Sequence, residues 1–173
     1  MGCTACCHGP FDISPGEAML VHAAVAALTP TVREGVRDRA GTQLEAMRAR
    51  LPDWGAPWDV AALDEATFDD LVAALAGAPC PALDPASGAC LIHESRPSTC
   101  RLMGMSVVTV DGGVLENACP IQDAFPGYAE LPPVAFDLEA MEEALEEQDA
   151  AAHAEGWVMT TIAGAVAAEI RDQ

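Results

Sequence analysis

The sequence predicts a mainly α protein: a single compact domain over residues 1–173, of about five helices, with a small β-hairpin and a cysteine-rich loop region suited to metal. Three observations carry that expectation. Apolar residues make up 51% of the chain and aromatic residues only 5%, with alanine supplying much of the difference, a balance that suits close-packed helices better than sheets. Apolar positions recur at helical spacing in five stretches, separated by Pro, Gly and Asp. The seven cysteines fall between those stretches, in segments rich in turn formers. A chain of 173 residues can bury a sizeable core without disulfides or metal, so metal binding would not be only a stability aid.

Taken in order, Phe11-Asp12-Ile13 reads as a short extended piece. Ser14 then caps a helix with Pro15 first and Glu17 third, and Ala18, Val21, Val25 and Leu28 repeat on one face. After Thr29-Pro30 a second helix carries Val32, Val36, Ala40, Leu44, Met47 and Leu51 on one stripe. Residues 52–66 form a connection expected to be ordered, because Trp54 and Trp58 would otherwise stand in water. A third helix is expected from near Thr67, with Asp70 completing a capping pair and Phe68, Leu71, Val72 and Leu75 inward; Gly77 and Pro79 end it. Ser106–Val110 and Val114–Glu116, joined by Asp111-Gly112-Gly113, read as a β-hairpin. Asp137 opens a fourth long helix, with Leu138, Met141 and Leu145 inward, Glu139, Glu142, Glu143, Glu146 and Glu147 outward, and Gly156 at its end. A last helix is expected from about Thr160 to Arg171, burying Ile162, Val166 and Ile170.

Charge narrows the function classes. The net formal charge is −19, from 27 acids against eight bases, all of them arginine. Such a surface repels phosphate backbones and anionic lipid, which argues against nucleic-acid and membrane partners. The N-terminus lacks the basic and apolar regions of a secretory signal. Gly2 does not start a myristoylation motif, since position 6 is Cys where Ser or Thr is required. No apolar run reaches the roughly 18 residues of a membrane span. The expected location is cytoplasmic, where thiols stay reduced and clustered cysteines read as metal ligands and not as disulfides.

Metal–thiolate sites draw ligands from separate short knuckles, because a turn can aim sulfurs at one point. Here the knuckles are Cys3, Cys6 and Cys7 in a C-x2-C-C run followed by His8, and Cys80, Cys90 and Cys100 at ten-residue intervals with His93 among them. Cys119 follows the hairpin, which would fold it back toward Cys100. The competing reading, that single cysteines are small buried apolar residues, holds for any one of them better than for all seven. Adjacent side chains diverge, so Cys6 and Cys7 suit two sites or a multinuclear cluster better than one ion. Seven sulfurs and one imidazole would complete two tetrahedral zinc ions, or one [4Fe–4S] cluster with three cysteines left over, and counting leaves zinc and iron both open.

Around the cysteines, His93 reads as a ligand, a proton carrier or a hydrogen-bonded part of the fold, while His22 and His153 read as ordinary surface or boundary residues in helices. Arg96 and Arg101 flank Cys100 and could bind a cofactor's anionic group or offset thiolate charge; the alternative is pinning the loop through Glu94 or Asp84. Asp84 is a candidate oxygen ligand.

The run C-x2-C-C, then Cys80-Pro-Ala-Leu-Asp84, Gly88-Ala-Cys90-Leu-Ile-His93-Glu94, Arg96-Pro97-Ser-Thr-Cys100-Arg101 and Cys119-Pro120, resembles the YkgJ-like cysteine-cluster family of zinc- or iron-chelating proteins. The resemblance covers about two-thirds of the chain in scattered pieces, and Cys80 to Arg101 is its most specific part. It implies metal binding by Cys3, Cys6, Cys7, Cys80, Cys90, Cys100 and Cys119. The chain departs from the family's C-x2-C-x2-C-C motif in keeping only C-x2-C-C, and His93 stands where the family usually carries tyrosine.

The leading functional expectation is a protein that chelates zinc or iron for metal handling or as a structural and interaction module, with metal ions as partners and a protein partner left open. The alternative is an iron-dependent or iron–sulfur redox enzyme using an open metal site. A Cys–His nucleophile is weaker, since Cys7-His8 adjacency does not make a spatial pair and no orienting acid is evident. No catalytic residue is assigned.

Overall fold

The computed structural model describes residues 4–108, 112–116, 119, 121, 124, 127, 130–135 and 137–169. Among these are six helices: α1 (Pro15–Ala26), α2 (Pro30–Arg50), α3 (Glu65–Ala74), α4 (Ser98–Leu102), α5 (Leu138–Ala154) and α6 (Ile162–Ala167). Short 3-10 turns lie at Val60–Ala62 and His93–Ser95. The strands are β1 (Asp12–Ile13), β2 (Ser106–Val108), β3 (Val114–Glu116), β4 (Val134–Ala135) and β5 (Thr160–Thr161). The fold is mainly α, as the composition predicts.

The core forms where α1, α2 and α6 meet, and α5 packs on α1. Ala18, Val21 and Val25 of α1 and Val36, Ala40, Leu44 and Met47 of α2 are buried, so both apolar stripes read from the sequence face inward. Val32, the first residue of the α2 stripe, is the exception at 37% exposed, because it lies in the helix's first turn beyond the core's edge. Between α1 and α2 sits α6, buried from Ile162 to Val166, and its small Ala163, Gly164 and Ala165 permit that close packing. Antiparallel pairing of β1 with β5 (Asp12 opposite Thr161, Ile13 opposite Thr160) launches α1 and α6 from a common base.

The start of α1 is anchored twice. Ser14 and Glu17 form the expected capping box, and the Asp149 carboxylate of α5 accepts from Ser14 Oγ (2.6 Å) and Gly16 N (2.8 Å). A side chain at position 16 would collide with Gln148 and Asp149, which is why glycine stands where α1 meets α5. Trp54 and Trp58 are buried edge to face, with centroids 5.4 Å apart, and Arg48 lies 5.1 Å from the Trp58 ring centroid. The connection they belong to is ordered as expected. On α5, Glu139, Glu142, Glu143, Glu146 and Glu147 are exposed, while Met141 and Leu145 are half-buried; the Leu138 side chain lies outside the described residues.

Several boundaries differ from the reading of the sequence. The third helix starts at Glu65, two residues before Thr67, because Asp64 takes the cap: its carboxylate accepts the Thr67 N–H (2.9 Å) and the Thr67 hydroxyl (2.7 Å). The last helix begins at Ile162, since Thr160 and Thr161 pair as a strand, and closes at Ala167; Ile170 and Arg171 lie outside the described residues. His22 is buried and not at a boundary, its Nδ1–H donating to the Ala165 carbonyl (3.0 Å) and its ring meeting Trp157 at 5.4 Å. The hairpin of β2 and β3 forms with Val107 opposite Leu115; residues 109 and 110 of the expected strand and Asp111 of the turn lie outside the described set. Its third strand, β4, runs parallel to β2 and was not legible, being two residues long with both side chains exposed.

Met47 tests the core directly, being the largest fully buried side chain. Met47→Ala should lower the unfolding free energy by about 2–5 kcal/mol, measured by urea denaturation, since it leaves a cavity between α2 and its neighbours.

Candidate metal centre

The cysteines are brought together by backbone pairing and then hung on the helical scaffold. Cys7 donates its N–H to Thr4 O (3.0 Å), and its carbonyl accepts from Cys80 N (2.9 Å). Beside that bond, Gly9 N donates to Ala78 O (2.7 Å), and His8 pairs with Pro79 in an antiparallel bridge. The N-terminal arm is therefore clamped along the chain entering Cys80. Gly9 holds a φ of +92°, a backbone conformation glycine adopts without strain, just before the fully buried Pro10.

From Cys80 the chain folds back on itself. Leu83 pairs with Cys90, Asp84 N donates to Ala89 O (2.8 Å), and Leu91 N donates to Ala82 O (2.9 Å). Asp84 turns this loop by accepting the Ser87 hydroxyl and the Ala86 N–H, bonds that hold its carboxyl below the usual carboxylate range. Both its oxygens are engaged in the turn. Opposite it, Gly88 (φ +69°) leaves room for Thr4, whose Cγ2 would lie 3.2 Å from an added Cβ. The loop's underside, Pro81, Ala82 and Ile92, is buried against the core.

Cys100 comes from α4, a single short turn absent from the expected elements. Its attachment is Glu17 of α1, 8% exposed: Oε2 accepts Ser14 N (3.2 Å) within the capping box, and Oε1 accepts Ser98 N (2.6 Å) at the start of α4. One buried carboxylate thus caps one helix and docks another. Arg101 ties the same segment together by donating from Nε to Arg96 O (2.9 Å) and from Nη2 to Glu94 O. It pins the loop through carbonyl oxygens. The Arg96 Nε is buried without a hydrogen-bond partner among the described residues. Beyond α4, Gly104 (φ +78°) lets Cys119 lodge against the turn, the cysteine's Cβ and Sγ lying 3.2 and 3.9 Å from where a side chain would begin.

Five thiols form one electrostatic group. Burial, then the thiols of Cys6 and Cys80, pushes Cys7 up to about 11, and burial with Cys90 pushes Cys80 up to about 11. Cys100 is pushed up to about 12, by burial first and then by Cys80, Cys7, Cys90 and Cys6. These residues come from three segments, and all five are half-buried free thiols. His8 stands at their margin with Nδ1 on Thr4 O (2.9 Å). His93 is not gathered in: its side chain is 60% exposed and its Nδ1 faces the Glu94 carboxylate at 3.3 Å. His153 is exposed on α5, and Cys3 lies outside the described residues.

Among the described residues no three His, Cys, Asp or Glu side chains already converge on a point that could hold a metal ion. Yet the donor set suits a soft or borderline cation, being thiol-rich, shielded from bulk water and repulsive once more than one sulfur ionises. Two contributors were missed by reading the sequence. Glu17 was visible only as a cap, since its second oxygen serves a residue 81 positions away. Arg39 of α2 donates from Nε to the carbonyl of Pro81 (2.9 Å); its only signal was its place beside the buried Ala40.

Two outcomes follow. Glu17→Ala leaves the Ser14 and Ser98 N–H groups without their acceptor and should cost about 1–3 kcal/mol, read by urea denaturation of reduced protein. The folded thiols bind protons more tightly than unfolded ones, so stability should fall with rising pH from about 9 toward 12. Cys100→Ser should flatten that slope, measured by urea midpoints under reducing conditions without metal.

Neither the comparison with curated proteins nor that with solved structures gave a match. A family model, CxxCxxCC, described as "Putative zinc- or iron-chelating domain", matches residues 1–120, which contain every cysteine of the chain. With that match over more than half its length, and its cysteine segments folded around one thiol group, the chain belongs to the CxxCxxCC family.

Proposed function

We propose that the protein chelates zinc or iron through a thiolate centre of Cys7, Cys80, Cys90 and Cys100, with Cys6 beside them. The observation that carries this reading is the mutual influence of five half-buried thiols drawn from three distant segments. Such a group is costly to ionise on its own and favourable to ionise around a cation. Cysteine ligates as thiolate, so metal entry drives off the thiol protons that burial otherwise retains. Convergence of the sulfurs then needs side-chain rotation on knuckles already fixed by their backbone bonds.

Cys3, which belongs to the C-x2-C-C run, His8 beside Cys7, and Cys119 on the Gly104 turn are the candidates for further ligands. They would allow a second ion or a larger centre, the [4Fe–4S] cluster included. His93, exposed beside Glu94, would reach a ligand only from solvent, and Arg96 and Arg101 border the Cys100 segment as candidates to face an anionic group bound there. Metal ions are the expected partners. Among the described residues no helix is long and apolar enough to cross a membrane.

Reduced, oxygen-free protein should take up Zn2+ or Fe2+ in fixed stoichiometry and release protons, read with a pH-indicator dye in weak buffer. Cys80→Ser and Cys100→Ser should each weaken binding by more than the roughly 10–100-fold typical of losing a partner behind the ligands. Uptake that is unchanged in both variants would contradict the proposed centre.

A further inference from the structure

We infer that Arg39, on α2 and outside every cysteine-rich segment, is the positioning residue that holds the Cys80 knuckle ready for metal and offsets the negative charge that thiolate ligation concentrates there. This rests on the metal-binding reading above. Its guanidinium is half-buried and reaches from the helical scaffold to the loop, where Nε–H donates to the carbonyl of Pro81 at 2.9 Å. Pro81 follows Cys80 directly and is fully buried, so that carbonyl is a fixed point on the knuckle. That bond sets a fixed positive charge on the residue next to Cys80.

A second feature of α2 serves the same arrangement. An added Cβ at Gly35, one turn before Arg39, would lie 3.3 Å from Arg39 Nη1. Glycine inside a helix is less favourable than alanine, and here it leaves the guanidinium room to lie back along the helix toward the loop. The other arginines near the cysteines are differently employed. Arg101 donates to the backbone carbonyls of Glu94 and Arg96, which shapes the Cys100 segment from within. Arg39 instead connects the metal-binding loop to the core helix that packs against α6. In a protein with a net charge of −19 and eight cations, one of those cations bonded to the residue after Cys80 lowers the cost of gathering thiolates there.

The test titrates Zn2+ into the reduced full chain against a chromophoric chelator, with Co2+ absorption as a second readout. Arg39→Met keeps the aliphatic stem but removes donor and charge, and should raise the dissociation constant about 10–100-fold. Arg39→Lys restores the charge without the fixed Nε–H and should fall between that variant and the native protein. The sulfur-to-cobalt charge-transfer bands should keep their positions, since the ligands are unchanged, and appear only at higher Co2+. Arg37→Met, an exposed arginine on the same helix, should bind as the native protein does. Native-like dissociation constants in both Arg39 variants overturn the inference. Should Arg39→Met fail to fold by far-UV circular dichroism, Arg39→Lys decides alone, and native-like binding in it overturns the inference. A native chain that takes up neither Zn2+ nor Co2+ overturns the metal-binding reading instead.

Discussion

Crowded thiols in a strongly anionic protein set the conditions for everything around them. Cys6, Cys7, Cys80, Cys90 and Cys100 are near enough that ionising one disfavours the next, and partial burial removes the water that would screen them. At neutral pH Cys7, Cys80 and Cys100 hold their protons, and a neutral thiol is soft apolar filling; Cys80, Cys90 and Cys100 pack against the helical core. A cation reverses the balance, because its positive charge offsets the repulsion among the sulfurs that ionise toward it. Tight proton binding and thiophilic metal binding are thus two expressions of one arrangement.

Holding such a group together falls to the scaffold. The N-terminal arm is clamped by backbone bonds to residues 78–80, and the loop from Cys80 to Cys90 is closed by its own short bridge and the Asp84 turn. The first two helices then reach out with one charged side chain each. Glu17 of α1 holds the N–H of Ser98 beside Cys100, and Arg39 of α2 holds the carbonyl of Pro81 beside Cys80. Asp149 of α5 fixes the start of α1, so the position of α4 depends on contacts in three helices. The mainly α core and the cysteine loops are parts of one structure.

Where side chains repeat at regular spacing, the sequence was sufficient. The stripes of α1 and α2, the capping box at Ser14, the acidic outer face of α5 and the β2–β3 hairpin are local patterns, and each appears in the structure. The cap of α3 was misplaced by three residues because Asp64, Thr67 and Asp70 offer rival local partners and only the fold chooses. That Cys7, Cys80, Cys90 and Cys100 share a neighbourhood followed from residue type and turn-rich context. Their attachment did not, since Glu17 to Ser98 and Arg39 to Pro81 span 81 and 42 positions and leave no periodic trace. The setting of His93 was likewise not legible: it opens a 3-10 turn and stands exposed beside Glu94.

X-ray absorption at the metal edge of the loaded, reduced full chain tests the central claim most directly, because it reads the donor atoms themselves. The account predicts a first shell dominated by sulfur, near 2.3 Å for zinc. A shell of oxygen and nitrogen would contradict it, placing the bound ion among the surface carboxylates and histidines and leaving the thiol group unused.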